Sequence, residues 1–311
     1  MLAQGVGTAT GKIILMGEHS VVYGEPAIAF PFSGTSVTAT IQAAAENTLF
    51  SSYHEGLLHE APQGLTNIQQ LTSQLQQHLH TPNFQLTIES TIPAERGMGS
   101  SAAVAVAVTR AFFDWQEKNL SRELLLSYVN FSEKIAHGNP SGLDAAATSG
   151  DRPIYFERGK KFLPFTLNID AYLLVADTGI MGQKRSAVRS VAELMATEPE
   201  TTMFRIKQLG ELAQQAKHAI ITNQPKELGA VMTQAQLYLK ELTVSNDTLD
   251  ELIEVALDCG ALGAKLTGGG RGGCFLVLSE SKQQAAHIAA QLQAYGVNNV
   301  WLQGLGVYQH V

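Results

Sequence analysis

The segment Pro93-Ala-Glu-Arg-Gly-Met-Gly-Ser-Ser-Ala-Ala103 carries the residue types from which a backbone makes a phosphate cradle. Gly97 and Gly99 lack the Cβ that keeps a chain away from an anion, and Ser100 or Ser101 is expected to cap a helix that starts there. The unpaired N–H groups and positive dipole end of that helix would face the ligand. The flanks supply the elements. Phe84 to Ile92 alternates apolar and polar residues and predicts a strand; Ala102 to Phe113 is alanine-rich, free of Gly and Pro, and predicts a helix. The loop lacks the lysine of G-x-x-x-x-G-K-[ST] and the spacing of G-x-G-x-x-G, so neither familiar nucleotide pattern fits. Taken alone, it reads equally well as a glycine turn with a serine N-cap.

Three further segments hold groups that could act on such a ligand. Gly11 to Gly24 places Lys12, Glu18 and His19 around a short apolar strand. A lysine beside a reacting hydroxyl can lower its pKa and bind phosphoryl oxygens; the plain alternatives are a solvated strand-edge lysine and a structural histidine. In Glu133-Lys-Ile-Ala-His-Gly-Asn-Pro-Ser-Gly-Leu-Asp144 a helix ends near Gly138, turns through Asn139 and Pro140, and restarts near Asp144. Glu133 offers the hard oxygens that magnesium prefers, and Asp144 could accept or orient a hydroxyl proton. The plain alternatives are an exposed helix glutamate and a Ser141/Asp144 capping box; His137 reads as a helix-end residue. Lys265 to Phe275 has five glycines in six positions, which points to close backbone approach to a ligand rather than a flexible hairpin.

The chain that must position these groups has 311 residues, 45% hydrophobic and 16% charged, which suits about two domains with a substantial core. Its 21 basic and 28 acidic residues give a formal charge of −7. That balance argues against nucleic acid or an anionic membrane as a partner and makes any phosphate site local. Cys259 and Cys274 form no close pair, against a disulfide framework or thiolate zinc site. No basic leader followed by an apolar run opens the chain, and no apolar stretch approaches the roughly 18 residues of a membrane span, so a cytoplasmic enzyme is expected.

Strands are expected at Ile13 to Met16, Ser36 to Ile41, Ala171 to Ala176, Phe275 to Leu278 and Gly304 to Tyr308. Helices are expected at Asn67 to His80, Glu123 to His137, Thr202 to Thr222, Pro225 to Lys240 and Ser245 to Asp258, with Gly260 as a helix stop. Gly150 to Leu167 is the expected junction between two α/β domains whose glycine loops meet at a cleft.

Taken in order, the four segments resemble the motifs of the GHMP kinases along the whole chain. Pro93 to Ala103 is similar to the P-x-G-x-G-L-G-S-S-A phosphate loop and Lys265 to Cys274 to the C-terminal glycine motif. Gly11 to Gly24 and His137 to Asp144 are similar to the forms in the branch that phosphorylates mevalonate. The resemblance implies an α/β (α+β) two-domain fold: residues 1–167 with a ribosomal-protein-S5-like β-α-β organisation, residues 168–311 α+β and ferredoxin-like with additional helices, and the active site in the cleft between them. It implies magnesium- and ATP-dependent phosphorylation of the 5-hydroxyl of mevalonate. Asp144 would be the base and Lys12 its charged neighbour; Ser101 and Glu133 would hold Mg2+. Pro93, Glu95, Arg96, Gly97, Met98, Gly99, Ser100, Ser101, Ala102, Gly269 and Gly270 would bind ATP. Lys12, Glu18, His19, Asp144 and Thr178 would contact mevalonate, whose carboxylate calls for a cationic or hydrogen-bonding pocket. Helical surfaces in the second half are candidates for a homodimer contact. The alternatives are a kinase of the same family acting on phosphomevalonate or a sugar, and a non-catalytic ligand sensor, against which the presence of Lys12, Ser101, Glu133 and Asp144 argues.

Two departures stand out within these motifs. Glu95 replaces the first loop glycine, so a positive φ is disfavoured there and negative charge is added near a triphosphate. Met98 replaces the usual leucine. Arg96 and Arg271 are expected either to offset the Glu95 charge by touching the nucleotide or to lie solvated at the surface.

Overall fold

The computed structural model describes residues 1–138, 140–157 and 163–308, which form two compact units. The first comprises Met1–Lys12, Pro31–Pro93 and Gly99–Asp151; the second comprises Ile13–Phe30, Ala94–Met98 and Arg152–Val311. Strands β1 (Gln4–Met16) and β2 (Ala27–Ala43) contribute residues to both. The sequence stretches Ile13 to Met16 and Ser36 to Ile41 are thus parts of much longer strands.

In the first unit the end of β2 is followed by β3 (Thr48–Ser51), β4 (His54–Leu57), helix α1 (Thr66–Leu79) and β5 (Phe84–Ser90). The sheet order is β4-β3-β5-β2, with β3 parallel to β5 and the other pairs antiparallel. Ile41 lies opposite Leu86, and both are fully buried. Three helices follow: α2 (Ser100–Trp115), α3 (Arg122–His137) and α4 (Leu143–Thr148). Helix α1 buries Ile68, Leu71, Leu75 and Leu79, one amphipathic stripe. Helix α2 is buried over most of its circumference, which explains its alanine-rich composition.

Small residues let α2 approach β1 closely. A Cβ on Gly7 would stand 2.1 Å from the Ala107 carbonyl oxygen and one on Gly5 2.4 Å from that of Ala111. Gly7→Ala should therefore overpack this contact and destabilise the protein by about 1–3 kcal/mol, read as a lower urea midpoint at unchanged m-value.

In the second unit β6 (Ile154–Phe156) pairs with Ala27–Ala29 of β2, and β7 (Leu163–Pro164) pairs with β6. Then come β8 (Tyr172–Asp177), helices α5 (Lys184–Thr197), α6 (Pro199–Ile221), α7 (Pro225–Glu241) and α8 (Asp247–Asp258), β9 (Gly263–Leu266), β10 (Cys274–Ser279), α9 (Lys282–Ala294) and β11 (Asn299–Gly304). The sheet is antiparallel in the order β11-β8-β10-β9. Numbered within this sheet that is 4-1-3-2 on a β-α-β-β-α-β path, the ferredoxin-like arrangement with extra helices. Every residue of the central strands β8 and β10 is buried.

The structure corrects the sequence reading at three elements. The β3–β4 hairpin was not anticipated. Nor was α5, whose first turn is basic, whose N-cap makes no side-chain bond and which buries only Ala187 and Val191. The last strand is Asn299–Gly304, and Gly306–Tyr308 forms a 3-10 turn in which the Tyr308 ring stacks on Tyr172 at 4.8 Å.

Candidate active site

In the first unit, Lys12 lies near the middle of β1 and is 2% exposed. Its Nζ stands 3.1 Å from Oδ1 of Asp144, in the first turn of α4, and the Asp144 side chain is 20% exposed. Lys12 is therefore a buried partner of the carboxylate rather than a solvated strand-edge residue. Gly99 makes this close packing possible: at φ 74, its absent Cβ would lie 2.7 Å from Lys12 Cγ and 3.2 Å from Thr148 Cγ2.

Gly99 also occupies the N-cap of α2, and no side chain caps that end. Ser100 and Ser101 are the first helical residues rather than caps, which leaves the helix terminus without a hydroxyl of its own. Ser101 Oγ is buried and has no hydrogen-bond partner among the described residues. Glu133, on α3, is 2% exposed, 3.8 Å from His137 Nε2, and so is no ordinary surface glutamate. The capping box is also absent: Gly142 is the N-cap of α4, and Ser141 Oγ accepts from Leu143 N at 3.3 Å. Asn139 lies outside the described residues.

A buried serine hydroxyl without a partner and a buried carboxylate suit a hard cation. Among the described residues no group of three or more His, Cys, Asp or Glu is arranged to hold a metal. Two hard oxygen donors are the kind of set Mg2+ can use, since it takes few protein ligands and completes its shell with phosphate oxygens and water.

In the second unit, the backbone segments 94–98, 178–183 and 267–274 are laced together. Gly182 N donates to Glu95 O (2.8 Å), Cys274 N to Arg96 O (3.2 Å), Gly273 N to Ile180 O (2.8 Å) and Thr178 N to Gly273 O (3.0 Å). Thr178 Oγ1 donates to the same Gly273 oxygen at 2.8 Å. Thr267 joins the assembly to β1, donating from Oγ1 to Ile14 O (2.8 Å) and accepting from Ile14 N (3.1 Å). Glycines permit this lacing: a Cβ on Gly268 would meet Gly97 Cα at 2.8 Å, and one on Gly270 would meet Val244 O at 2.0 Å. Much of the glycine run thus serves chain-on-chain approach, a use that glycine count alone does not distinguish from ligand approach.

Both arginines in the motifs have protein partners. Arg96 Nε lies 2.8 Å from Asp177 Oδ1, and Nη2 donates to Gly179 O at 3.1 Å. Arg271 donates to Thr243, Ser186 and Ser190. Glu95 adopts φ 55 despite its side chain, so the arm keeps the left-handed turn, at a cost of about 1–2 kcal/mol. Met98 is buried.

Two family models match the chain: GHMP kinases N terminal domain over residues 67–151, and GHMP kinases C terminal over residues 216–298. A mevalonate kinase of Pyrococcus furiosus is 32% identical over 312 residues, 92% of each chain. The chain belongs to the GHMP kinase family. Mevalonate kinase from methicillin-resistant Staphylococcus aureus superposes with a TM-score of 0.77 at 33% identity, covering 98% of this chain and 100% of that one. L. major mevalonate kinase in complex with R-mevalonate gives 0.81 at 26% identity, over 97% and 95%. A GHMP kinase is an ATP-dependent small-molecule kinase, so phosphate-facing groups are required here. Among the described residues, no helix is long and apolar enough to cross a membrane.

In this GHMP kinase, Glu18 and His19 are turned toward the C-terminal glycine motif. Lys265 Nζ donates to Glu18 Oε1 and, at 2.6 Å, to Leu266 O, with both charged side chains almost fully buried. Burial pushes the Lys265 ammonium down from its ordinary value, against the raising effect of Glu18. Sequence reasoning missed this partner; a lysine immediately before an apolar residue and a glycine run was its only signal. Lys265→Met should leave the Glu18 carboxylate in a low-dielectric site and cost about 3–5 kcal/mol. Adding Glu18→Gln should recover part of that loss, as a double-mutant cycle in urea would measure.

His19 Nε2 donates to Gly269 O at 3.0 Å. Burial, reinforced by the charges of Lys184, Arg271 and Lys265, lowers its pKa from 6.5 to about 4. It is therefore neutral at physiological pH, as a satisfied structural histidine is. Above pH 6.5 the folded and unfolded states bind no proton here; as pH falls from 6.5 toward 4 the unfolded state binds it first, and stability declines by up to about 3 kcal/mol. The stability difference between pH 7 and pH 4.5 should accordingly be smaller in His19→Asn than in the unaltered protein, by urea unfolding at each pH.

Proposed function

We propose that the chain is a mevalonate kinase, transferring the γ-phosphoryl group of ATP to the 5-hydroxyl of mevalonate to give 5-phosphomevalonate and ADP in isoprenoid biosynthesis. The observation that carries this assignment is the pairing of a buried lysine with a partly exposed aspartate, Lys12 with Asp144 at 3.1 Å, beside Gly99 at the N-terminus of α2. Identity of 32–33% to mevalonate kinases over nearly the whole chain supports the choice of acceptor.

Asp144 accepts the hydroxyl proton as the oxygen attacks phosphorus, and Lys12 stabilises the charge that develops on that oxygen. The loop from Pro93 through Glu95, Arg96, Gly97, Met98, Gly99, Ser100 and Ser101 to Ala102 holds the phosphates, with the uncapped N–H groups of α2 as donors. Ser101 and Glu133 hold Mg2+, which when bound neutralises charge on the phosphate oxygens. Gly269 and Gly270 border the nucleotide, while Glu18 and His19, through Lys265 and Gly269, shape the acceptor end together with Thr178. The domains divide as residues 1–167 and 168–311. The enzyme acts in the cytoplasm and pairs through helical surfaces of its second half as a homodimer.

ADP release with ATP, Mg2+ and mevalonate tests this assignment. Turnover should be confined to mevalonate when galactose, homoserine and phosphomevalonate are offered beside it. Asp144→Asn should lower kcat by about 10²–10⁴-fold with ATP still bound. Turnover with another acceptor alone would move the assignment to that substrate, and ATP binding without any turnover would leave a sensor.

A further inference from the structure

Arg271 stands at φ 56, a backbone conformation that favours glycine, in the middle of a run where glycine would be relaxed. Strain of this kind persists where the surroundings over-determine it. Around Arg271 they do. Its backbone N–H donates to Val244 O at 2.8 Å, Nε to Thr243 O at 2.9 Å, Nη1 to Ser186 Oγ at 2.8 Å and Nη2 to Ser190 Oγ at 2.9 Å. Ser186 and Ser190 are four residues apart and so share one face of α5.

Helix α5 needs such a clamp. It has no side-chain N-cap, no acidic residue in its first turn, and begins with Lys184 and Arg185 at its positive end, where cations are disfavoured. Its first residues nonetheless lie directly on the glycine loop. Gln183 N donates to Gly270 O at 3.2 Å, and a Cβ on Gly269 would stand 2.7 Å from Lys184 Cβ. Gly269 also holds His19, whose imidazole feels the Lys184 charge.

We propose that Arg271 is a positioning residue for the acceptor: by holding Ser186 and Ser190 it fixes the start of α5 on the glycine loop and so places Lys184 to meet the carboxylate of the acceptor. This rests on the assignment of mevalonate as substrate, since a carboxylate bound out of water calls for a cationic partner.

Arg271→Gly suits the backbone and removes the whole side chain with its guanidinium; Ser186→Ala with Ser190→Ala removes its hydroxyl partners and leaves the loop intact. In both, amide hydrogen exchange over residues 185–190 of the unliganded protein should quicken by about tenfold or more. The KM for mevalonate should rise by about fivefold or more, with kcat and the KM for ATP within about twofold. Lys184→Met should reproduce the KM change without the change in exchange, and Arg271→Lys should restore neither exchange nor KM, because one ammonium cannot span both serines. Unchanged exchange in both clamp variants, or a KM effect shared equally by ATP, would overturn the proposal. If the unaltered protein fails to turn over mevalonate, the substrate assignment falls and takes the acceptor role of Lys184 with it; the exchange comparison, which uses no substrate, still decides the clamp.

Discussion

A lysine ammonium cannot leave water alone, and two lysines of this chain are almost completely buried. Lys12 and Lys265 sit on strands, 2% and 0% exposed, and each is matched by a carboxylate. Desolvation of either charge costs several kcal/mol unless the partner is close and well oriented. The surrounding chain is arranged accordingly: Gly99 has no Cβ to displace the Lys12 stem, and Leu266 O takes a second bond from Lys265. What separates the pairs is access. Asp144 keeps 20% of its side chain exposed, whereas Glu18 keeps 1%. An ion pair open on its carboxylate side can receive a hydroxyl; one closed on both sides can only hold strands together. The same electrostatic demand therefore yields a pair open to solvent in one unit and a closed pair in the other.

The closed pair matters to chemistry through what it holds. Glu18 comes just after β1, and Lys265 begins the stretch that leads through Thr267 into the glycine run. Thr267 exchanges two hydrogen bonds with Ile14, and His19 reaches Gly269, so the N-terminal motif and the glycine motif are fastened at three points. The segment 94–98 is fastened to the same glycine run through Cys274 and to residue 182 through Glu95. These bonds lie among buried or half-buried groups where an unmade partner would be expensive, so the loop geometry is fixed before any ligand arrives. Preorganised donors are what phosphoryl transfer requires of a protein.

Periodicity made the regular elements legible. The alternation of Phe84 to Ser90 and the stripe of Ile68, Leu71, Leu75 and Leu79 are local signals, and the structure keeps both. Helix α5 was invisible because tertiary bonds from Arg271 to Ser186 and Ser190 hold it, and pairings over eighty residues apart leave no mark on a window of fifteen. The β3–β4 hairpin is short and half exposed, too brief for its pattern to stand out. Among the site residues, Lys12, Glu133 and Asp144 could be singled out by type and position, but not by burial, and burial is what separates them from surface charges. The partner of Glu18 was hidden for the same reason as α5: it lies 247 residues away.

Backbone strain sorts the motifs in a way that their glycines do not. Among the described residues, seven non-glycine positions have positive φ: His19, His80, Glu95, Glu117, Asn223, Thr243 and Arg271. His80 is the C-cap of α1, and Glu117, Asn223 and Thr243 each follow the C-cap of a helix, where a left-handed residue ends the helix and satisfies its last carbonyls. His19, Glu95 and Arg271 end no helix. Glu95 and Arg271 belong to the loop assembly of the second unit and His19 is bonded to it, and each is restrained by a bond to another segment: His19 to Gly269, Glu95 to Gly182, Arg271 to Val244. A glycine at any of these places would relieve the strain but would remove an imidazole, a carboxylate or a guanidinium. Conformations costing roughly 1–3 kcal/mol each endure where the side chain they present is needed. For Arg271 the need is visible in Ser186 and Ser190, and for His19 in the carbonyl of Gly269. Glu95 shows only its backbone bond, and nothing in the structure explains why its side chain is a carboxylate.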